Sequence, residues 1–268
     1  EVSRILAELS SLVSTVAVDM IEAIEIAAEI DLRFAKARLA YDHKACMPDL
    51  ISRPGIEIEG GRHPMLNADS VVPVDMAVGF EFDGLLITGP NTGGKTVAMK
   101  TAGLFVLMAQ TGLMLPARMV RLGPFSQVWA DIGDEQSLQQ SLSTFSGHIR
   151  NISEALTSLE PGALVIFDEI GAGTDPTEGA ALAKVLLAEM QSRGAIIIAS
   201  THYGELKSFA YTQPGFTNAA MEFDAKTLKP TYRLIMGAPG SSHALRIAER
   251  YGIPKQLVAK ALESLSTA

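Results

Sequence analysis

Near its start the chain carries apolar side chains three or four residues apart, in a stretch with no proline or glycine between Val2 and Tyr41. This is the period of an α-helix, and one unbroken helix would extend about 60 Å at 1.5 Å per residue. Two shorter helices with a break near Ser14 and Thr15 are the alternative. Either arrangement predicts a helical arm, which we assign to residues 1–47. Its apolar positions are Ile5, Leu9, Leu12, Val16, Met20, Ile24, Ala28, Leu32, Ala35 and Leu39.

Beyond Pro48 the pattern changes to short apolar runs between loops that contain glycine and proline. Strands that alternate with helices predict an α/β fold with a parallel-rich sheet flanked by helices. We assign this core to residues 48–240, and we assign a helical tail, interrupted at Gly252 and Pro254, to residues 241–268. The predicted strands are 85–88, 128–130, 164–167 and 196–199, and the predicted helices are 96–111, 148–159 and 178–191.

Composition narrows the class of protein. Apolar residues make up 47% and charged residues 19% of the 268 positions, which is enough for a large core and argues against disorder. The net charge of −8, from 22 basic and 30 acidic residues, does not favour a self-sufficient nucleic-acid binder. A single cysteine, Cys46, and no long apolar run predict a cytoplasmic protein without membrane contact. Because the chain starts without Met inside a helical pattern, we expect it to be part of a longer protein.

A glycine-rich loop follows the first of these strands and fits the pattern G-x-x-x-x-G-K-[ST]. Its residues are Gly89, Pro90, Asn91, Thr92, Gly93, Gly94, Lys95 and Thr96. Between a strand and a helix this pattern indicates a P-loop, whose main-chain N–H groups surround phosphates at a helix N-terminus. We therefore predict ATP or ADP as the ligand, with Lys95 on the β- and γ-phosphates and the Thr96 hydroxyl on Mg²⁺.

Two carboxylates, Asp168 and Glu169, end the third predicted strand. At the carboxyl end of a strand in an open sheet, Asp168 is suited to the Mg²⁺ shell and Glu169 to polarising the attacking water. His202 follows the fourth strand and can contact the γ-phosphate or that water. Acids at an ordinary strand end and an exposed turn histidine are the alternatives, but the order of loop, Asp-Glu and Thr-His favours catalysis. The predicted enzyme is a Mg-dependent ATPase.

Val71 and Val72 precede the predicted core strands by a short loop. We predict that Val72, with Val71 beside it, packs on the adenine, although apolar residues at such positions more often belong to the core.

Taken together, these motifs resemble the MutS family of ABC-type ATPases. The segments 61–64, 88–96, 168–174 and 201–203 are similar to that family's start of the ATPase domain, phosphate loop, acidic strand and switch histidine. The segments 131–137, 141–148 and 173–176 are similar to its second bacterial subfamily, the Smr-associated paralogue that does not perform mismatch repair. The resemblance covers essentially the whole chain, including the arm and the tail.

The resemblance implies an ATP-dependent homodimer in which a serine of one subunit reaches the γ-phosphate held by the other. That serine would be Ser143, or alternatively Ser141, and a plain helix N-cap is the competing interpretation. Asn91 would orient water near the γ-phosphate, unless it is simply a turn-former. Members of the subfamily continue into a C-terminal Smr nuclease domain, so the resemblance implies that the full-length protein would be an endonuclease. They suppress recombination through branched DNA or rescue collided ribosomes.

Several functions therefore compete. An ATPase that opens and closes a clamp is favoured by intact Lys95, Thr96, Asp168 and Glu169. A regulatory nucleotide-binding or dimerisation module with negligible hydrolysis is the second possibility, and the ATPase domain of a mismatch-repair protein is the third. The energy subunit of a membrane transporter is disfavoured, because no Leu-Ser-Gly-Gly-Gln segment occurs.

Overall fold

The structure is a computed structural model. It describes residues 1–90, 93–133, 141–224, 227, 229–238, 252–258 and 260, and only the main chain of residues 141–144. The helices are α1 (Val2–Ser14), α2 (Ala17–Asp42), α3 (Lys95–Gln110), α4 (Ser141–Ser158), α5 (Pro176–Ser192) and α6 (Gly204–Thr212). The strands are β1 (Asp49–Leu50), β2 (Ile56–Gly61), β3 (Val74–Val78), β4 (Gly84–Thr88), β5 (Met119–Leu122), β6 (Val128–Asp131), β7 (Leu164–Phe167), β8 (Ile196–Thr201), β9 (Phe216–Asp224) and β10 (Lys229–Met236).

The main sheet has six strands in the order β10-β9-β4-β8-β7-β6. The five strands from β9 to β6 pair in parallel, and β10 closes one edge as an antiparallel neighbour of β9. Helices lie on this sheet, so the predicted mixed α/β fold with a parallel-rich sheet flanked by helices is confirmed.

The central strands β4, β7 and β8 of the main sheet are buried on both faces, which explains why they are largely apolar. Successive side chains of a strand point to opposite faces. Ile87, Ile166 and Ile198 therefore pack with α3 and the second sheet on one face. Val165 and Ile197 pack with α4, α5 and α6 on the other face.

The second sheet, β1-β5-β2-β3, has no counterpart in the sequence prediction. Strand β2 reads Ile-Glu-Ile-Glu-Gly-Gly and buries Ile56 and Ile58 while its glutamates stay partly exposed. Such a half-buried strand depends on its partners β3 and β5, which are remote in sequence. The prediction also missed β9 and β10, which extend the main sheet.

The N-terminal stretch forms two helices, α1 and α2, rather than one. The break falls at Thr15 and Val16, close to the position of the two-helix alternative. There the hydroxyls of Ser14 and Thr15 donate to the carbonyls of Ser11 and Leu12, over 2.7 Å in each case. Because such local bonds compete with the helical ladder, they favour a break at this point. The role of these helices as an arm stays a prediction.

Helix α4 begins at Ser141, well before the predicted start at 148, so that boundary was wrong. Its first residues are Ser-Leu-Ser-Thr, and serine and threonine have weak intrinsic helix propensity, which hid the first turns. Most of the predicted tail, 241–268, lies outside the described residues. The domain boundaries at 47 and 240 therefore stay predictions. Among the described helices, none has the length and apolarity needed to cross a membrane.

Candidate functional site

The carboxyl ends of β4, β7 and β8 meet at one edge of the main sheet, because these strands run parallel and in register. The glycine-rich loop leaves β4 at this edge, Asp168 and Glu169 leave β7, and His202 leaves β8. The structure thus brings together three segments that the sequence analysis had selected separately. Open α/β sheets bind ligands at such an edge.

The glycine-rich loop leads directly into α3, whose N-cap is Gly94. Gly94 has a φ of 95°, a left-handed conformation that glycine adopts without strain. Lys95 is almost completely buried, at 1% relative exposure, and its Nζ donates to the carbonyl of Gly89 over 2.8 Å. The N–H of Gly93 donates to the Pro90 carbonyl over 2.9 Å. The candidates Asn91 and Thr92 lie outside the described residues.

A series of hydrogen bonds joins this loop to the acidic pair. Thr96 Oγ1 donates to Asp168 Oδ2 over 2.6 Å, and Ser200 Oγ donates to Asp168 Oδ1 over 2.5 Å. The Ser200 hydroxyl also accepts from the N–H of Glu169 over 2.8 Å. Both oxygens of the Asp168 carboxylate are therefore held by side chains, one from the first turn of α3 and one from β8.

Glu169 has a φ of 51°, which is uncommon for a residue with a side chain. Such a conformation is maintained by its surroundings, and residues in strained conformations cluster at functional sites. Glu169 and His202 line one cavity of about 500 Å³, together with the loop that follows the acidic pair. Tyr203 fixes that loop, because its hydroxyl donates to the carbonyl of Gly171 over 3.1 Å, and its ring lies 4.3 Å from that of His202.

A second cavity, of about 570 Å³, opens beside the N-terminus of α3. Val71, Val72 and Tyr232 line it, as do Thr96 and His63. Burial, with a smaller contribution from the Lys100 ammonium, lowers the pKa of His63 below its ordinary value of 6.5. The His63 ring is therefore neutral near pH 7, which agrees with its Nδ1 accepting from the Met65 N–H over 3.2 Å.

Ser143 lies in the first turn of α4, and only its main chain is described. The helix runs antiparallel to β6, since His148 contacts the last residue of β6 and Ser158 contacts Gln127 just before the strand. Its N-terminal end therefore lies at the same carboxyl edge as the glycine-rich loop.

Two residues of these sites were not selected from the sequence, Ser200 and Tyr232. Ser200 is the fifth residue of the largely apolar strand β8, and its hydroxyl contacts Asp168. Tyr232 lies on β10, far along the chain from the glycine-rich loop, and has a φ of 60°. A polar residue in an apolar strand was a usable signal for Ser200, whereas no local pattern distinguishes Tyr232.

Comparison with known proteins agrees with this architecture. Residues 85–267 match the family model of MutS domain V. Curated proteins named Endonuclease MutS2 align over nearly the whole chain. The protein from Symbiobacterium thermophilum is 54% identical over 99% of this chain and 34% of its own length. That from Pelotomaculum thermopropionicum is 53% identical, with the same coverage of 99% and 34%. That from Halalkalibacterium halodurans is 49% identical over 97% of this chain and 33% of its own.

The chain therefore belongs to the MutS family, through its domain V, and within it to the MutS2 subfamily. The resemblance drawn from the sequence motifs is confirmed at both levels. The chain spans about a third of the length of the curated relatives that it matches.

Proposed function

We propose that this chain is the ATPase module of a MutS-type clamp, which binds Mg-ATP and hydrolyses its β–γ phosphate bond. The observation that carries the proposal is the hydrogen-bonded series Thr96–Asp168–Ser200. Its two bonds join residues that are 72 and 32 positions apart in sequence. It brings a hydroxyl and a carboxylate together next to Lys95 and the N-terminus of α3. P-loop proteins hold a Mg-nucleotide with this combination of groups.

The donor set fits Mg²⁺. Thr96 Oγ1 and Asp168 Oδ2 are 2.6 Å apart. Neighbouring oxygen ligands of an octahedral Mg²⁺ lie about 3 Å apart, since each is about 2.1 Å from the ion. A slight separation of the two side chains therefore suffices, and Ser200 keeps the other carboxylate oxygen oriented. When bound, Mg²⁺ supplies positive charge that neutralises the β- and γ-phosphates.

The cavity of about 570 Å³ supports nucleotide binding, because ligand pockets commonly have this size and are largely apolar. Val71 and Val72 form part of its apolar wall, and Tyr232 adds an aromatic ring at 50% relative exposure. A Cβ added to Gly94 would lie 3.3 Å from the Tyr232 ring, so this ring is immediately next to the glycine-rich loop. We infer that the adenine packs against Tyr232 and Val72 while Lys95 contacts the phosphates.

We assign the hydrolytic step to Glu169, with His202 contacting the γ-phosphate or the attacking water. Both side chains line the cavity of about 500 Å³ next to the acidic pair. The hydrogen bond from the Glu169 N–H to Ser200 limits the movement of the main chain at Glu169, the proposed general base. Glu169 would accept a proton from the water, and general-base assistance of this kind contributes about 10²–10⁴ in rate.

We propose further that ATP brings two copies of the chain together, with Ser143 of one copy contacting the γ-phosphate held by the other. The position of Ser143 in the first turn of α4 supports this role, because the N–H groups at a helix N-terminus attract anions. For the whole protein we propose a cytoplasmic nuclease that acts on branched DNA or collided ribosomes. The relatives are named endonucleases, and the net charge of −8 argues that DNA contacts lie mainly outside this chain.

The test combines calorimetry with steady-state phosphate release. We expect the wild type to bind ADP in a Mg-dependent manner, and Lys95→Met to weaken this binding at least tenfold. Glu169→Gln should retain binding but lose about 10²-fold or more in turnover. The matched control is Glu160→Gln, an exposed glutamate remote from the site, which should behave as the wild type.

Two outcomes would contradict the proposal. If the folded wild type showed no Mg-dependent nucleotide binding, the proposed nucleotide site would be refuted. Equal phosphate release by the wild type and Glu169→Gln would instead favour a regulatory nucleotide-binding module without significant hydrolysis.

A further inference from the structure

Asp131, the last residue of β6, is hydrogen-bonded to two side chains of α4. Its Oδ2 lies 2.5 Å from Nδ1 of His148, and its Oδ1 accepts from Nδ2 of Asn151 over 2.9 Å. The Asp131 side chain is mostly buried, at 11% relative exposure, and that of His148 is at 28%. His148 and Asn151 are three residues apart and therefore share one face of the helix.

The chemistry of these contacts defines a directional bond. An ionised carboxylate only accepts hydrogen bonds, so the His148 Nδ1 that faces it carries the proton. Hydrogen bonds to a charged acceptor are stronger than neutral ones, and partial burial limits competition from water. Asp131 therefore holds α4 firmly at this point.

The same residue is also connected to the acidic pair. The main-chain carbonyl of Asp131 accepts from the N–H of Asp168 over 2.9 Å, and Asp131 pairs with Phe167 in the parallel register of β6 and β7. Asp131 thus contacts α4 through its side chain and the segment of Asp168 and Glu169 through its main chain. Neither of the two cavities described above is lined by Asp131, His148 or Asn151.

The hydrogen bonds between Asp131 and α4 lie close to the N-terminal turn of that helix. Ser143 precedes His148 by about 7.5 Å along the helix axis, at 1.5 Å per residue. The N-terminal turn, which would reach a partner subunit, therefore begins close to the point at which the helix is held. A rigid support so near to that turn limits how far the turn can move relative to Asp168 and Glu169 of its own subunit.

We propose that Asp131 is a positioning residue which, through His148 and Asn151, fixes the N-terminal turn of α4 relative to the acidic pair of the same subunit. This inference rests on the proposed function, in which that turn completes the ATP site of a second copy of the chain. Each subunit contributes Asp168 and Glu169 to its own ATP site and the N-terminal turn of α4 to its partner's site. The contacts of Asp131 then set the position of that turn relative to the acidic pair.

The test uses His148, because its replacement leaves the buried carboxylate in place. In His148→Asn the amide Nδ2 occupies the position of the imidazole Nδ1 and can still donate to Asp131. In His148→Gln the amide lies one atom further out, and His148→Leu has no donor. Ser153→Ala, an exposed change on the same helix, is the control. Three quantities are measured: kcat at saturating Mg-ATP, the affinity for ADP, and hydrogen exchange of the α4 amides without nucleotide.

We expect His148→Leu and His148→Gln to lose about tenfold or more in kcat, while the affinity for ADP stays within about twofold. Exchange of the α4 amides should accelerate about tenfold in the same two variants. His148→Asn should recover at least half of the lost kcat on a logarithmic scale and most of the exchange protection. This separation of turnover from binding is the result that a general loss of stability would not produce.

The inference is overturned if His148→Leu matches Ser153→Ala in kcat and exchange, or if His148→Asn is as impaired as His148→Leu. It is also overturned if the affinity for ADP falls as much as kcat, because the damage then extends to the subunit's own nucleotide site. A wild type that hydrolyses no ATP contradicts the proposed function instead. A wild type that is active alongside an unimpaired His148→Leu contradicts only the positioning role.

Discussion

The Ser200 hydroxyl offers the sharpest test of how the acidic pair is held. Ser200 is completely buried, and its hydroxyl donates to Asp168 over 2.5 Å and accepts from the Glu169 N–H over 2.8 Å. Ser200→Ala removes both bonds with almost no change in shape. The N–H of Glu169 and one oxygen of Asp168 then lose the partner that the folded protein provides.

The expected loss follows from these two contacts. Loss of a hydrogen bond by a fully buried donor costs about 1–3 kcal/mol, and a hydrogen bond to a charged group contributes about 1.5–3 kcal/mol. The Glu169 N–H is only partly buried, so its contribution lies at the lower end of the first range. Because Asp168 is only partly buried and keeps its bond to Thr96, water replaces part of the second contribution. We therefore expect Ser200→Ala to lower the free energy of unfolding by about 2–4 kcal/mol. The protein should remain folded, since domains are commonly stable by about 5–15 kcal/mol.

Urea denaturation followed by the fluorescence of Trp129, the single tryptophan, measures this loss. Trp129 lies on β6 in the same sheet. The control is Ser126→Ala, which removes one exposed hydrogen bond of 3.0 Å to the Pro161 carbonyl and should cost at most about 1 kcal/mol. If both variants unfold with the same free energy, at equal dependence on urea, Ser200 does not support the acidic pair.

Two further predictions concern the surroundings of the site. Gly179→Ala should destabilise the protein by about 1–3 kcal/mol, because the added methyl would overlap the main-chain carbonyl of Gly171 in the loop after the acidic pair. Gly204→Ala is its control in thermal unfolding, because the added methyl has no atom within 4 Å apart from its chain neighbours and the backbone of its own helix. Equal melting temperatures of the two variants would contradict the packing argument. The lowered pKa of His63 means that the unfolded chain binds a proton more readily than the folded one, so the associated stability is complete above pH 6.5 and is lost as the pH falls through the folded value. Between about pH 8 and about pH 5, the free energy of unfolding of the wild type should therefore fall relative to that of His63→Gln. A difference between the two variants that stays constant over this range would refute the prediction.

The sequence alone determined the elements whose signals are local. The apolar strands β4, β7 and β8 were predicted near their observed bounds, because strands buried on both faces are largely apolar. The helices α3 and α5, which follow β4 and β7, were also predicted near their bounds, whereas α6, which follows β8, was missed. The glycine-rich loop and the acidic pair were selected because phosphate and metal binding require particular residue types at short spacing. The same motifs led to the family, which the comparisons confirm. Whether Glu169, His202 and Ser143 act as assigned stays a prediction.

Tertiary structure alone decided which distant residues meet. Ser200 acquires its importance from Asp168, at a separation of 32 residues, and Thr96 reaches the same carboxylate across 72 residues. Tyr232 joins the larger cavity only because β10 pairs with β9 at the edge of the main sheet. Likewise, the bonds of Asp131 to α4 depend on the helix lying antiparallel to β6. Periodicity records which face of an element is buried, but strand order and register arise from packing between elements, and these place the polar side chains within hydrogen-bonding distance.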